Sequence, residues 1–391
     1  MRITHATRIL IVIISIFSLV ACQKEDIPPV SSNERTIFMY LPWSTNLTEY
    51  FYNNISDMEK AISRRGLHNE RVIVFLSTSA SEAEMFEIVY ENGHCRRDML
   101  KEYTTPAFTT ETGLTAILND MKSYAPAANY AMIIGCHGMG WLPVEQSRGR
   151  AITDFVYHWE YTDVPQTRFF GGLTAEYQTD VTTLSQSLSN SGLKMDYILF
   201  DDCYMSSLEA AYDLRHVTDY LIACPTEIMV YGMPYSTMGE YLLAEKPDYA
   251  AICNAFYQFY SSYQYPYGTI AVTDCSQLDE LADLMKLIHS SYSLDNSQIT
   301  YIQRMDGYSP VIFYDFGDYV RTLCGNDSEL YGYFIALMEK VIPYKAHTER
   351  FYTASRGPIT VEQYSGITTS EPSSNSRTID YPQTSWYLAT H

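Results

Sequence analysis

The stretch YILFDDCYMSSLEAAY, residues 197–212, changes from a strand pattern to a helix pattern within a few positions. Its first residues, Tyr197 to Phe200, are apolar and favour a strand that is buried on both faces of a parallel sheet. From Met205 onward, apolar residues recur three or four positions apart, which is typical of one face of a helix. Cys203 is therefore predicted to lie at a strand-to-helix junction. Open α/β sheets bind their ligands at this edge, outside the carboxyl ends of the strands.

A second junction of the same kind lies upstream. The apolar run from Tyr130 to Cys136 leads directly into His137 and Gly138. Neighbouring strands lie about 5 Å apart, so a thiol and an imidazole at the ends of two adjacent strands can act on one carbonyl group. The pair predicts nucleophilic catalysis in which Cys203 attacks and His137 transfers protons. The alternative is that Cys203 packs as a small apolar residue, which is the usual role of a free cysteine.

The residues around Cys203 bear on its reactivity. A helix that starts near Met205 would lower the pKa of Cys203, because the positive end of the helix dipole stabilises a thiolate. The carboxylates of Asp201 and Asp202 would oppose that effect, and we expect them to point away from the sulfur. Gly138 leaves room for a substrate carbonyl to approach backbone N–H groups.

The N-terminus indicates export. Residues 1–21 carry two arginines and then an apolar run that is too short for a mature membrane-spanning helix, which is the pattern of a signal peptide. The sequence LVAC at residues 19–22 resembles the lipobox of bacterial lipoproteins, in which the cysteine is acylated. Residues 22–35 are then the lipidated Cys22 and a flexible tether. The sequence QKED after Cys22 indicates the outer membrane or cell surface of a Gram-negative bacterium, and the alternative is an ordinary secretory signal cleaved near Cys22.

The composition excludes several classes of function. The 391 residues include 26 Lys plus Arg and 46 Asp plus Glu, a net charge of −20 that repels nucleic acid. No CxxC, HExxH, GxSxG or P-loop pattern occurs and the nine histidines are scattered, so we expect no metal ion and no other cofactor. Calcium is left open, although no motif supports it. Removal of Cys22 leaves seven of the eight cysteines, so at least one thiol is unpaired.

The order of the predicted elements indicates an α/β fold. Apolar runs predict strands, and three- to four-residue periodicity predicts the helices between them, at 36–41 (strand), 47–62 (helix), 71–76 (strand), 84–90 (antiparallel strand), 111–124 (helix), 130–136 (strand), 181–191 (helix), 197–200 (strand) and 220–224 (strand). This alternation predicts a mostly parallel sheet with helices on both faces. Residues 142–178 lose the periodicity and are expected to form a long insertion. We expect a core at residues 36–240 and a C-terminal subdomain at 241–391 that contains helices and packs on the core.

The chain resembles the clostripain family of cysteine peptidases, which is related in fold to caspases, gingipains and legumain. The resemblance extends from about Thr36 to the C-terminus. Two sequence boxes carry it, HGMGW at residues 137–141 and FDDCYM at residues 200–205, and Glu209 follows them. One departure is that many members have Gly-Trp-Asp-Tyr where this chain has GMPY at residues 232–235.

The resemblance implies a caspase-like α/β/α sandwich and assigns roles to particular residues. The catalytic dyad falls on His137 and Cys203, and the oxyanion donors are the backbone N–H groups of Gly138 and Cys203. Asp201 falls at the base of a pocket for Arg or Lys. The second acid of that pocket is missing from residues 232–235, so the preference for a basic residue is expected to be weaker than in many members.

Two functions follow from these observations. The first is a surface-anchored endopeptidase that hydrolyses protein or peptide substrates, preferably after Arg or Lys, through a thioester acyl-enzyme, and that is attached to the membrane through a lipid on Cys22. The second is a catalytically silent lipoprotein in which the same scaffold binds a glycan or a protein. The intact Cys203 and His137 pair favours the first, whereas a sealed cleft would favour the second.

Overall fold

The computed structural model describes residues 33–144, 171–326 and 328–391. The predicted signal peptide, Cys22 and most of the tether lie outside the described residues, as does most of the predicted insertion at 142–178. The seven cysteines of the described residues are all free thiols. None of the described helices combines the length and the apolar character needed to cross a bilayer.

A nine-stranded sheet forms the centre of the molecule, and two small two-stranded sheets accompany it. The strands are β1 (Arg35–Leu41), β2 (Glu70–Ser77), β3 (Glu82–Glu91), β4 (His94–Thr104), β5 (Asn129–Gly135), β6 (Met195–Asp201), β7 (Thr218–Ala223), β8 (Thr269–Asp274), β9 (Tyr314–Asp315), β10 (Tyr344–His347), β11 (Arg350–Thr353), β12 (Gly357–Thr360) and β13 (Thr368–Thr369). The order in the central sheet is β10-β8-β7-β6-β5-β1-β2-β3-β4. Its inner pairings, from β7 to β2, are parallel, and its outer pairings are antiparallel.

Helices cover the sheet in two groups. The helices are α1 (Thr48–Arg65), α2 (Glu111–Tyr124), α3 (Val181–Asn190), α4 (Leu208–Leu214), α5 (Tyr235–Leu242), α6 (Tyr249–Ser262), α7 (Leu278–Ser291), α8 (Phe316–Cys324), α9 (Glu329–Val341) and α10 (Ser385–Thr390). In one group α5 packs between α1 and α6, and in the other α2, α3, α4, α10, α7 and α9 follow one another. The predicted α/β/α arrangement with a mixed, mostly parallel sheet is confirmed.

The buried strands explain why the fold is recognisable from the sequence. All seven residues of β1 are buried, and β5 and β6 are buried over nearly their whole length. Such strands lose their polar alternation because helices cover both faces. The antiparallel β3 was expected, whereas β4, α8, α9 and α10 were not.

The second half of the chain belongs to the same sheet as the first. Strands β8 and β10 extend the sheet beyond β7. The predicted boundary between residues 240 and 241 falls inside α5, and the division into core and subdomain stays a prediction.

The connectivity places a switch point at the centre of the sheet. From β1 the chain continues to β2 on one side, and later it returns to β5 on the other side of β1 before continuing to β6 and β7. The carboxyl ends of β1 and β5 therefore diverge at a crevice, which is where open α/β sheets bind their ligands.

Candidate active site

The two predicted catalytic residues follow adjacent parallel strands at the same level. Gly135, the last residue of β5, pairs with Asp201, the last residue of β6. His137 and Cys203 each come two residues later. The chains remain in contact there, because a Cβ atom placed on Gly138 would lie 2.2 Å from the carbonyl oxygen of Cys203 and 2.9 Å from its nitrogen. The loop that carries His137 and Gly138 therefore packs against Cys203.

His137 is fully buried and its ring is held by an amide. Its Nε2 lies 2.9 Å from Oδ1 of Asn46, which is in the connection between β1 and α1. An amide oxygen only accepts hydrogen bonds, so Nε2 carries a proton and Nδ1 of the neutral ring keeps its lone pair. An asparagine also orients a histidine ring in the Cys-His-Asn sites of papain-like peptidases. The role of Asn46 was not predicted, because no local sequence pattern connects a loop residue after β1 with the end of β5.

Cys203 is also fully buried, and the chain after it is not helical. Its Sγ accepts a hydrogen bond from the backbone N–H of Ile228 at 3.4 Å. The next residue, Tyr204, has φ of 60°, a left-handed conformation that is uncommon for a bulky side chain. Its N–H donates to the carbonyl of Thr226, so the chain after β6 runs beside the chain after β7.

The prediction that Cys203 begins a helix is wrong. Helix α4 begins at Leu208, and its N-terminal cap is Ser207, whose hydroxyl accepts from the N–H of Ala210. The helix dipole acts within about one turn of the helix end. Cys203 lies four residues before the cap, so any stabilisation of its thiolate has to come from other groups.

The two acids beside Cys203 are held by separate partners. Asp201 is buried, and its carboxylate accepts from the N–H of Met233 at 2.8 Å and from the hydroxyl of Tyr235 at 3.1 Å. Asp202 accepts from the backbone N–H of Cys136 at 2.6 Å. The segment that lacks the second pocket acid therefore supplies donors to Asp201 instead.

The loop at residues 306–313 supports the site, and no sequence pattern predicted this role. The buried carboxylate of Asp306 accepts hydrogen bonds from the backbone N–H groups of Tyr308, Ile312 and Phe313. Burial raises the pKa of Asp306 to about 7. The ring of Phe313 then stacks on Tyr204, with ring centroids 4.9 Å apart. Asp306 thus fixes the loop that covers the residue after Cys203.

Trp141, from the first of the two sequence motifs, and Glu209, which follows the second, bind the C-terminal segment. Glu209 accepts from the N–H of Ser370 at 2.9 Å and from the hydroxyl of Thr369 at 3.0 Å. The hydroxyl of Ser370 accepts from the indole N–H of Trp141 at 2.9 Å. Burial raises the pKa of Glu209 to about 7.

Comparison with known proteins decides the family. A model of the clostripain family matches residues 39–340. The chain belongs to the clostripain family. It is similar to the secreted C11 cysteine protease "iotapain" of Bacteroides thetaiotaomicron, with 53% identity, coverage of 92% of this chain and 99% of that chain, and a TM-score of 0.85. The comparison with curated proteins gave no match.

Two further solved structures add to this relationship. A clostripain from Bacteroides thetaiotaomicron, in complex with the peptide inhibitor BTN-VLTK-AOMK, has 54% identity, covers 57% of this chain and 99% of that chain, and has a TM-score of 0.56. An inactive zymogen C11 protease from Parabacteroides distasonis has 26% identity, covers 93% and 99%, and has a TM-score of 0.74. The clostripain-family protein described here is thus a cysteine peptidase with the caspase-like fold.

The contact between Gly138 and Cys203 yields a prediction. Gly138→Ala should reduce peptidase activity by roughly 100-fold or more, because the methyl group pushes the two loops apart by about 1 Å. The same overpacking should cost about 1–3 kcal/mol of unfolding free energy. Kinetics on a small peptide substrate and chemical denaturation measure the two effects.

The control for this substitution is Gly332→Ala on α9, where an added Cβ meets nothing within 4 Å. It should leave activity unchanged and stabilise the helix by up to about 1 kcal/mol. If Gly138→Ala kept wild-type activity, the close packing of the two loops would not be required for catalysis.

Proposed function

We propose that the protein is an endopeptidase in which Cys203 and His137 hydrolyse peptide bonds, preferably after Lys or Arg. The observation that carries this proposal is the contact between Gly138 and Cys203 at the ends of two adjacent parallel strands. This contact supports a site in which the thiol, the imidazole and the backbone N–H groups of Gly138 and Cys203 act on one peptide bond. Acyl transfer through a cysteine needs this set of groups.

The chemistry follows from these groups. The Cys203 thiolate attacks the peptide carbonyl, forming a C–S bond, and the backbone N–H groups of Gly138 and Cys203 stabilise the oxyanion. The protonated ring of His137 gives a proton to the leaving amine as the C–N bond breaks, which leaves a thioester. His137 then takes a proton from the attacking water, the C–S bond breaks, and the thiolate is restored. Asn46 holds the ring in one orientation throughout.

The preference for a basic residue is supported by Asp201 and by a relative. Met233 and Tyr235 are neutral donors, so they orient the carboxylate of Asp201 without cancelling its charge. The inhibitor bound to the related clostripain contains the peptide VLTK, which ends in lysine.

The buried state of the dyad affects how a substrate reaches it. The side chains of His137 and Cys203 have no exposed surface. Neighbouring segments must therefore move before a peptide can bind. The family membership outweighs the alternative of a silent binding protein, although the closed cleft was the feature expected to favour it.

Attachment to the outer membrane through a lipid on Cys22 is part of the same proposal. Its support is the LVAC sequence at residues 19–22, which follows an apolar run with two preceding arginines. A secreted relative at 53% identity agrees with export from the cytoplasm.

The dyad is tested by covalent labelling. A peptidyl acyloxymethyl ketone ending in lysine should attach to Cys203, because the enzyme must bring the thiolate to the carbon where a scissile bond would lie. Peptide mapping by mass spectrometry identifies the labelled thiol, before and after prolonged incubation of the full chain.

Cys203→Ala and His137→Ala should abolish labelling, whereas Cys253→Ala, which removes a buried thiol on α6, should not affect it. The dyad is refuted if Cys203 of the wild type stays unlabelled both before and after the incubation, or if the label is found on another cysteine.

Specificity is tested by comparing probes that end in lysine and in its neutral analogue norleucine. A charge-assisted hydrogen bond contributes about 1.5–3 kcal/mol, so the wild type should label roughly ten- to two-hundredfold faster with lysine, nearer the lower figure because the second acid is missing. Asp201→Asn should remove most of that ratio.

Asp202→Asn is the matched control. It removes the charge next to Asp201, but the carboxylate of Asp202 accepts from the backbone N–H of Cys136. Asp202→Asn should keep the ratio of the labelling rates with the lysine and norleucine probes. An equal ratio in the wild type and in Asp201→Asn would show that Asp201 does not bind the basic side chain of the substrate.

A further inference from the structure

Two histidines and a glutamate meet far from the dyad residues in sequence. His289 lies in the last turn of α7, Glu371 follows β13, and His391 follows α10. We call these three residues the His–Glu cluster, and their ligand atoms lie within 4.8 Å of one another. The rings of His289 and His391 stack with centroids 4.3 Å apart. The expectation that the histidines form no cluster is wrong for this pair.

His289 presents one nitrogen to the cluster. Its Nδ1 lies 3.2 Å from the backbone carbonyl of Thr390. A carbonyl only accepts, so Nδ1 carries the proton and Nε2 of the neutral ring holds the lone pair, with the hydroxyl of Tyr319 at 3.3 Å. Metal-binding histidines usually donate their second N–H to a carbonyl in this way.

His391 and Glu371 are oriented by the same principle. Nδ1 of His391 lies 3.3 Å from the carbonyl of Tyr387 and 3.1 Å from the hydroxyl of Thr390, and its Nε2 lies 3.1 Å from Oε1 of Glu371. The other oxygen of Glu371 accepts from the hydroxyl of Tyr381 at 2.7 Å. The contacts at Nδ1 and at the second carboxylate oxygen therefore turn Nε2 of His391 and Oε1 of Glu371 toward each other in the cluster.

We propose that Nε2 of His289, Nε2 of His391 and Oε1 of Glu371 bind a divalent transition metal ion, with zinc as the best match. Two imidazoles and one carboxylate form a known zinc ligand set, and water completes the tetrahedron. Imidazole donors favour zinc, copper or nickel over calcium and magnesium. Ligand atoms in a tetrahedral zinc site lie about 3.3 Å apart, so the three atoms must draw closer, and rotation of the partly exposed His391 side chain can supply this movement.

The metal would connect parts of the chain that are distant in sequence. It would join α7 to the end of α10 and to the segment after β13. Ser370 in that segment accepts from Trp141, which follows the His137 loop. Zinc is thus expected to stabilise the packing of the C-terminal segment against the rest of the molecule.

The test is zinc binding to the full chain with Cys203→Ala, which removes the candidate catalytic thiol as a competing zinc ligand and makes the result independent of the proposed function. Isothermal titration in the presence of excess calcium should give one zinc ion per chain. His289→Ala, His391→Ala and Glu371→Gln should each weaken the affinity roughly 100-fold, because removal of a ligand costs at least as much as removal of its supporting partner.

Cobalt and a matched histidine variant make the result specific. Cobalt(II) bound at the cluster should show tetrahedral d–d bands without the charge-transfer band of a thiolate ligand. His94→Ala removes an exposed histidine on the far edge strand β4 and should leave zinc affinity and the zinc-induced rise in unfolding temperature unchanged.

Zinc affinity that is equal in the three cluster variants and in the His94→Ala control would overturn the proposal, as would a thiolate–cobalt band. His391 and Glu371 would then make only the direct contact that the structure shows. Titration that shows no zinc binding near neutral pH would refute it equally.

Discussion

The pairing of β5 with β6 determines where the reactive groups lie. Because Gly135 and Asp201 are partners in this parallel pair, the residues two positions later emerge at the same height from adjacent strands. The absence of a side chain at Gly138 lets the two loops touch. A shift of the register by one residue would reverse the faces of all the buried side chains of a strand, so the core of the sheet fixes the geometry of the site.

The rest of the site is assembled from distant parts of the chain. Asn46, next to β1, holds the ring of His137. Asp306 organises the loop that stacks on Tyr204, and Glu209 holds the segment after β13. Each carboxylate is buried and accepts backbone N–H groups, so its removal would leave several buried donors without partners. Residues after position 300 thus support the site, although both candidate catalytic residues lie far earlier in the chain.

The sequence predicted what depends on local pattern. Buried strands and helix periodicity located most of the sheet, and the matched ends of β5 and β6 identified His137 and Cys203. Strand β4 was missed because its charged residues, typical of an edge strand, hide the alternation. Asn46, Asp306 and the His–Glu cluster act through contacts between positions far apart in the chain, which no local pattern records. The start of α4 was misplaced because apolar spacing from Met205 continues through a segment that pairs with the chain after β7.

The pH dependence of Cys203 alkylation shows whether His137 and Cys203 act as one unit. Iodoacetamide reacts with the thiolate, and site-resolved mass spectrometry follows Cys203 separately from the other cysteines. An imidazolium beside the sulfur stabilises the thiolate, so wild-type Cys203 should react at lower pH than an unperturbed cysteine, whose pKa is about 8.5. In His137→Ala the profile should move to higher pH. Identical pH profiles in the wild type and in His137→Ala would show that His137 does not stabilise the Cys203 thiolate.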